Sequence, residues 1–297
     1  MHLIINPSDI YYLTSVRSHD PGEILMLQST EGVRQNSGII FCDLRTSALF
    51  DAEKYTIIDQ RAEWAENMSQ FHTFETDPDY LTQTLREKIE WYGVQLTMKK
   101  SPITEQRIIK TSWETQKLRE SQRLNKLVCE KILPYLREWS TEEEIARKIQ
   151  ILQLELGASG PSFPPIVAFG ENSAVPHHSP TKRRLQSTDI ILLDMWLVYE
   201  WYCSDMTRMV YQENIPEEAR KIWELVTSVT QEIIQWAKPG MKISELDTKA
   251  RQLLGEYEKY FTHSLGHGVG IDIHEAPHVS GKSDEILTPW MILTIEP

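Results

Sequence analysis

The chain has 297 residues, 40% of them hydrophobic and 25% charged, which is an ordinary composition for a globular protein. The formal net charge of −12 argues against nucleic acid or an anionic membrane as a partner, because both require a basic surface. The N-terminus lacks a basic segment followed by a long apolar run, so the sequence predicts a cytoplasmic protein without a signal peptide.

The first part of the chain alternates strand-like and helix-like segments. Residues 37–50, SGIIFCDLRTSALF, contain a candidate buried strand, and residues 79–93 have helical spacing of apolar residues and end at a glycine. Segment 99–112 is polar and contains a proline, and we place the boundary between two domains there. The predicted domains are therefore residues 1–112 and 113–297.

The second part predicts a long amphipathic helix from about Trp113 to about Glu138. Ser140 and Glu143 have the spacing of a capping box, which predicts that another helix begins there.

The second part also contains an internal repeat. Residues 138–155 align with residues 239–256 at an offset of 101, which places Trp139 on Gly240. At an offset of 102, IILLD aligns with ILTIE, so that Asp194 corresponds to Glu296. We interpret this pattern as a duplicated α/β half whose two acids converge on one site.

Asp194 lies within an apolar run that predicts a buried strand. A buried carboxylate costs several kcal/mol unless it is paired or bound to a cation. Asp205 follows eleven residues later, and a hairpin that turns at Tyr199-Glu200 would place the two acids opposite each other. Facing carboxylates repel, which favours a metal site. The alternative is that Asp205 pairs with Arg208 and that Asp194 caps a strand.

The stretch THSLGHGVGIDIHE, residues 262–275, contains His263, His267 and His274. Glycines flank the middle histidine, which argues against a helix and indicates a close approach to this backbone. An imidazole combined with several carboxylates suits manganese, cobalt, zinc or iron at a hydrolytic site. Two further candidates are Glu296, in an apolar segment, and His177, in a loop bracketed by prolines.

Four motifs together resemble the metallopeptidase family M24, which has the pita-bread fold: AVPHHSPT, LLD…YCSDMTR, HSLGHGVGIDIHEAP and TIEP. Within the family, the sequence is most similar to Xaa-Pro aminopeptidases and Xaa-Pro dipeptidases. The resemblance implies an α/β chain with a creatinase-like N-terminal domain, residues 1–112, followed by a pseudo-two-fold pita-bread domain, residues 113–297.

The resemblance implies two divalent metal ions, with manganese as the first choice and cobalt, zinc or iron as alternatives. The implied metal ligands are Asp194, Asp205, His267 and Glu296. A metal-bridged hydroxide would attack the peptide carbonyl in such an enzyme.

The resemblance also implies the roles of the remaining site residues. Glu296 would act as a proton shuttle, His274 would steady the carbonyl oxygen, and His177 would contact the scissile amide nitrogen. His263 and Ile273 would contact the substrate, with His263 lining a pocket for proline.

The implied activity is metal-dependent removal of the residue that precedes proline, from peptides with proline at the second position. The alternatives are an Xaa-Pro dipeptidase and a non-catalytic pita-bread module that binds peptide or protein. Dimer formation through the N-terminal domain in relatives leaves a homodimer open.

Two features depart from the family pattern. The family has a fifth ligand, a bridging glutamate beyond the TIEP motif, and no residue of this sequence can be assigned to it. We therefore expect a pita-bread domain without its last strands.

In addition, tryptophan stands at positions 139, 196, 201 and 290, where the family has glycine. One interpretation is ordinary divergence. Our hypothesis is that some of these tryptophans are glycine codons, UGA, translated as tryptophan.

Overall fold

The structure is a computed structural model, and it describes residues 1–16, 23–28, 37–161, 164–211 and 215–297. It divides into two compact units, Met1–Arg107 (unit 1) and Ile108–Pro297 (unit 2). Within the described ranges, no helix has both the length and the apolar character needed to cross a bilayer.

Unit 1 is built on a mixed six-stranded sheet with the strand order β4-β3-β2-β1-β5-β6. Its strands are β1 (His2–Ile4), β2 (Ile24–Leu27), β3 (Gly38–Cys42), β4 (Tyr55–Asp59), β5 (Thr73–Thr76) and β6 (Gln95–Met98). Its helices are α1 (Pro7–Thr14), α2 (Leu44–Ser47), α3 (Trp64–Met68), α4 (Gln83–Glu90) and α5 (Pro102–Ile108). The predicted buried strand is β3, and the predicted helix is α4, so both predictions are confirmed.

The central strand β2 is covered on both faces. Leu25 and Leu27 pack into one apolar cluster, and Ile24 and Met26 pack into another. Side chains alternate between the two faces of a strand, so a continuous apolar run such as ILML is expected only where both faces are buried.

The segment chosen as the domain boundary is partly helical. It contains α5, and Arg107 Nη1 donates to Asp9 Oδ1 at 2.9 Å, with both side chains buried. Ser101 Oγ donates to the second oxygen of the same carboxylate at 2.7 Å. Residues 101–107 are therefore an integral part of unit 1.

Unit 2 contains five strands and four helices among its described residues. The strands are β7 (Ile166–Phe169), β8 (Ile190–Tyr199), β9 (Tyr202–Tyr211), β10 (Gly266–Gly268) and β11 (Glu275–Val279). The helices are α6 (Ser112–Ile132), α7 (Glu142–Glu155), α8 (Glu217–Trp236) and α9 (Ile243–Leu254). Short 3₁₀ turns span Leu133–Tyr135, Gly170–Ala174 and Gly255–Tyr260.

Two predicted helix boundaries were wrong by a few residues. The long helix ends at Ile132, before a 3₁₀ turn that contains Pro134, which has no backbone N–H to continue an α-helix. The capping box of α7 is formed by Thr141 and Glu144, one residue later than the predicted pair.

The predicted duplication is visible in the backbone of unit 2. Helices α7 and α9 begin 101 residues apart. The glutamate three residues after each N-cap accepts a hydrogen bond from the N-cap N–H: Glu144 Oε2 from Thr141 at 2.9 Å and Glu245 Oε1 from Lys242 at 3.2 Å. The N–H of Trp139 donates to the carbonyl of Leu185 at 3.2 Å, and the N–H of Gly240 donates to the carbonyl of Leu287 at 2.8 Å. Each half therefore ties the start of its second helix to the segment that follows.

Helices α6 and α7 pack on the antiparallel sheet β7-β8-β9. The buried amide of Asn125 donates to the carbonyl of Met195 at 2.7 Å, and that of Gln153 donates to the carbonyl of Trp196 at 2.8 Å. These bonds fix the middle of β8, the strand that carries Asp194.

Three of the four tryptophans at family glycine positions have a left-handed backbone. The φ angles are 75° at Trp139, 72° at Trp201 and 74° at Trp290. Only five described non-glycine residues have positive φ, and three of them are these tryptophans. Trp196 lies inside β8 with an ordinary strand conformation. The backbone therefore favours glycine at three of the four positions and gives no reason for it at Trp196. The codon hypothesis stays a prediction.

Candidate metal centre

The β8–β9 hairpin sets the spacing of the two aspartates. Its two-residue turn is Glu200-Trp201, with φ angles of 44° and 72°, a pair of positive values that matches the twist of a hairpin. Asp194 therefore pairs with Thr207, and Asp205 pairs with Trp196. The prediction that the two acids lie directly opposite was wrong, because the turn lies one residue later than predicted. They are diagonal neighbours on one face of the hairpin.

Asp205, His267 and Glu296 converge at one point. Each contributes a ligand atom, and these atoms all lie within 4.8 Å of one another. His267 Nε2 lies 3.3 Å from Asp205 Oδ2 and 3.2 Å from Glu296 Oε1. Strand β9, strand β10 and the segment after β11 thus each supply one residue.

The segment that carries Glu296 runs alongside β10. The N–H of Thr294 donates to the carbonyl of His267, and the N–H of Glu296 donates to the carbonyl of Leu265, each at 2.9 Å. A Cβ at Gly266 would collide with the carbonyl oxygen of Thr294, and one at Gly268 would collide with that of Ala276. The close approach predicted from the glycines is therefore made by the protein's own backbone.

Hydrogen-bonding contacts on both nitrogens fix the orientation of the His267 ring. Its Nδ1 lies 3.0 Å from the carbonyl oxygen of Gly268, so that Nδ1 carries the donated proton and Nε2 faces the two carboxylates. Burial lowers the pKa of His267, but hydrogen bonds to Asp205 and Glu296 outweigh it and raise the pKa to about 10. Burial likewise raises the pKa of Glu296, and the bond to His267 reverses this and lowers it. The site thus concentrates negative charge that favours a cation.

Asp194 lies beside the three-residue cluster. Its Oδ1 accepts a hydrogen bond from the hydroxyl of Thr207 at 2.9 Å. Burial, followed by repulsion from Asp205, raises the pKa of Asp194 to about 7. The two carboxylates and one imidazole that converge form a donor set that suits a divalent transition metal, and Asp194 adds a third carboxylate whose charge interacts with Asp205 and Glu296.

Trp196 has a role that the sequence analysis missed. Its indole Nε1 donates to Asp205 Oδ1 at 2.7 Å, and the side chain is buried. This bond occupies one carboxylate oxygen and leaves Oδ2 facing His267. The signal in the sequence was the tryptophan two residues after Asp194, which we interpreted only as a replacement for glycine.

Of the two other predicted histidines, His274 contacts His267 directly, and His177 interacts with His274 through its charge. The ring of His274 meets the ring of His267 edge-on, with centroids 4.4 Å apart. Burial and then the charge of His267 lower the pKa of His274, and the charge of His177 acts in the same direction. Both His177 and His274 are exposed, so both are accessible to a substrate.

His263 and Ile273 lie in the two segments that flank β10. His263 is exposed, and its ring meets the buried ring of Phe261 edge-on, with centroids 4.8 Å apart. Ile273 is partly buried and precedes His274.

A buried ion pair supports the turn before β11. Lys110 Nζ donates to Glu275 Oε1 at 2.6 Å, and the two side chains are 2% and 6% exposed. Glu275 directly follows His274, and its carboxylate fills the space left by the absent side chain of Gly270. The pair joins residues 165 positions apart, a separation that gave no signal in the sequence.

Comparison with known proteins identifies the family. The sequence pattern of metallopeptidase family M24 matches residues 116–297. The chain belongs to metallopeptidase family M24. An uncharacterized peptidase from Staphylococcus aureus (strain bovine RF122 / ET3-1) is 30% identical over 309 residues, covering 99% of this chain and 86% of that protein.

Solved structures of M24-like peptidases share the fold. The prolidase from Pyrococcus furiosus is 26% identical with a TM-score of 0.89, and the match covers 99% of this chain and 86% of that one. The Xaa-Pro dipeptidase from Bacillus anthracis is 25% identical with a TM-score of 0.90, covering 99% of this chain and 84% of that one. The predicted α/β fold, with a pita-bread domain, is therefore confirmed.

Proposed function

We propose that this M24 peptidase hydrolyses the bond between an N-terminal residue and a following proline, and that it uses divalent metal held by Asp194, Asp205, His267 and Glu296. The observation that carries the proposal is the convergence of Asp205, His267 and Glu296 from three separate segments. Divalent ions bound there would activate water and polarise the scissile carbonyl. Manganese is our first choice, with cobalt, zinc or iron as alternatives.

Three side chains would bind the substrate and transfer the proton: His274, His177 and Glu296. The lowered pKa of His274 keeps this imidazole neutral at neutral pH, so that its N–H can donate to the substrate carbonyl oxygen. His177 would contact the scissile amide nitrogen. Glu296, which accepts a hydrogen bond from Thr294 Oγ1 at 2.5 Å, would carry the proton to the leaving nitrogen.

Selectivity for proline would come from the surface around His263. The ring of a proline residue is apolar, and its nitrogen has no N–H to donate. The aromatic faces of His263 and Phe261, together with Ile273, would offer the apolar contact that such a ring requires.

Substrate length separates two candidate activities. The names of the two solved relatives, a prolidase and an Xaa-Pro dipeptidase, favour free Xaa-Pro dipeptides. The sequence motifs instead favoured an aminopeptidase that acts on longer peptides, with the dipeptidase as the alternative. The ratio of kcat/KM for Xaa-Pro and Xaa-Pro-Yaa, measured on one preparation, assigns the activity to one of them.

Asp205→Asn is the variant that tests the metal centre. It removes a ligand charge while it keeps the size of the side chain, and we expect both bound manganese and peptide hydrolysis to be lost. The matched control is Asp284→Asn, because the side chain of Asp284 is 98% exposed. Peptide binding without hydrolysis in the wild type would support a non-catalytic module instead.

A further inference from the structure

The loop that carries His177 is attached to one buried carboxylate. Glu142 is the first residue of α7, and its side chain has no exposed surface. A glutamate buried in this way costs several kcal/mol unless hydrogen-bond donors surround it.

Five hydrogen-bonding contacts satisfy this carboxylate. Glu142 Oε1 accepts from the N–H of Phe169 and from Asn172 Nδ2, both at 2.8 Å. Glu142 Oε2 accepts from the N–H of Thr181 at 2.9 Å and from its hydroxyl at 2.7 Å, and it lies 2.9 Å from His178 Nε2. All five partner groups lie between residues 169 and 181, on both sides of His177. The side chain of Glu142 therefore joins the two ends of the loop formed by residues 169–181.

The adjacent histidines of the loop differ in environment. The His178 side chain is 12% exposed and contacts Glu142, whereas His177 is exposed and its charge lowers the pKa of His274. Fixing the ring of His178 limits the freedom of the residue directly before it. Burial raises the pKa of Glu142, but the bonds from His178, Thr181, Asn172 and Phe169 outweigh it and lower the pKa, so the carboxylate stays ionised at neutral pH.

We propose that Glu142 is a positioning residue that holds His177 toward the substrate by anchoring residues 169–181. This inference rests on the proposed function of His177. Glu142 acts through His178 and Thr181, because its carboxylate bonds to these two residues on the C-terminal side of His177.

Glu142→Gln tests the proposal with little change in shape. The new amide group can satisfy only part of the donor set that the carboxylate accepts. We expect kcat for an Xaa-Pro substrate to fall by about 10- to 100-fold with little change in KM, because His177 would act on the leaving nitrogen during the reaction. The matched control is Glu143→Gln, the next residue of the same helix turn, whose side chain is 38% exposed. The control should stay within about twofold of the wild type.

A double variant identifies the residue through which Glu142 acts. If the anchor works through His177, Glu142→Gln combined with His177→Ala should be no slower than His177→Ala alone. If the two losses multiply, the proposal is overturned. Should Glu142→Gln fail to fold, His178→Gln and Thr181→Val each remove one contact and are expected to lower kcat by about 3- to 10-fold, again without effect in the His177→Ala background.

Hydrogen exchange separates this inference from the proposed function. The amides of Phe169 and Thr181 donate directly to Glu142, so they should exchange faster in Glu142→Gln and unchanged in Glu143→Gln. If these two amides exchange at the wild-type rate in Glu142→Gln, the proposal that Glu142 anchors the loop is overturned, whatever the activity of the variant. If the amides exchange faster in Glu142→Gln than in the wild type, and the wild type has no peptidase activity, the anchoring role of Glu142 is retained and the proposed function is rejected.

Discussion

Replacing Trp139 and Trp290 with glycine should make the protein more stable. In the left-handed region a Cβ costs about 1–2 kcal/mol, whereas the greater freedom of glycine in the unfolded chain costs about 0.5–1 kcal/mol. Trp139 is 65% exposed and Trp290 is 57% exposed, which is close to the exposure expected in a compact denatured chain, so little packing is lost. The net gain is about 0.5–1 kcal/mol at each site. Gly240 occupies the position that corresponds to Trp139 in the internal repeat, and its φ is 93°. The second half of the repeat therefore already has glycine at this left-handed position.

Trp91→Gly is the matched control for this prediction. Trp91 is 85% exposed, but its φ of −56° suits any residue, so glycine there should lower the free energy of unfolding by about 0.5–1 kcal/mol. The assay is denaturant unfolding followed by far-UV circular dichroism. If Trp139→Gly and Trp290→Gly destabilise as Trp91→Gly does, the reasoning from φ is wrong. Separately, UGG codons at all four positions, 139, 196, 201 and 290, would reject the codon hypothesis and leave the stability prediction unchanged.

Three other predictions concern the site. Trp196→Phe removes the indole donor to Asp205 and should weaken manganese binding about 10-fold by calorimetry, with Trp223→Phe as the control. In metal-free protein, the folded pKa of Asp194, about 7, exceeds the ordinary aspartate value of 3.8, so the folded state binds more protons and the free energy of unfolding should fall as pH rises between these values. Asp194→Asn should remove that slope, and a slope that persists in the variant would contradict the assignment. His263→Ala should raise KM for Xaa-Pro substrates and leave kcat nearly unchanged, whereas a fall in kcat alone would place His263 outside the proline pocket.

The sequence singled out residues that the fold brings together, but it did not predict their geometry. Short motifs with specific spacing identified Asp205, His267 and Glu296, which the fold brings together. The hairpin register was wrong because Trp201 gives no signal of the left-handed turn in which it lies. Since a shift in the turn changes every cross-strand pair, this one error misplaced both aspartates.

The supporting residues could not be predicted from local pattern. Glu142 follows a capping residue and looks like an ordinary acidic residue at the start of a helix, yet it accepts bonds from groups 27 to 39 residues away. Lys110 and Glu275 are separated by 165 positions, and only the fold joins them. Such pairs are set by the tertiary fold, and a short stretch of sequence around either residue gives no sign of them.

Hydrolysis of an Xaa-Pro-Yaa peptide by the purified protein, with manganese and with chelator, tests the central claim most directly. The account predicts release of the first residue that requires manganese, that chelator abolishes, and that Asp205→Asn lacks while Asp284→Asn retains it. Release that is insensitive to chelator and to Asp205→Asn, or a protein that neither binds manganese nor releases the residue, would contradict a metal-dependent peptidase built on Asp205, His267 and Glu296.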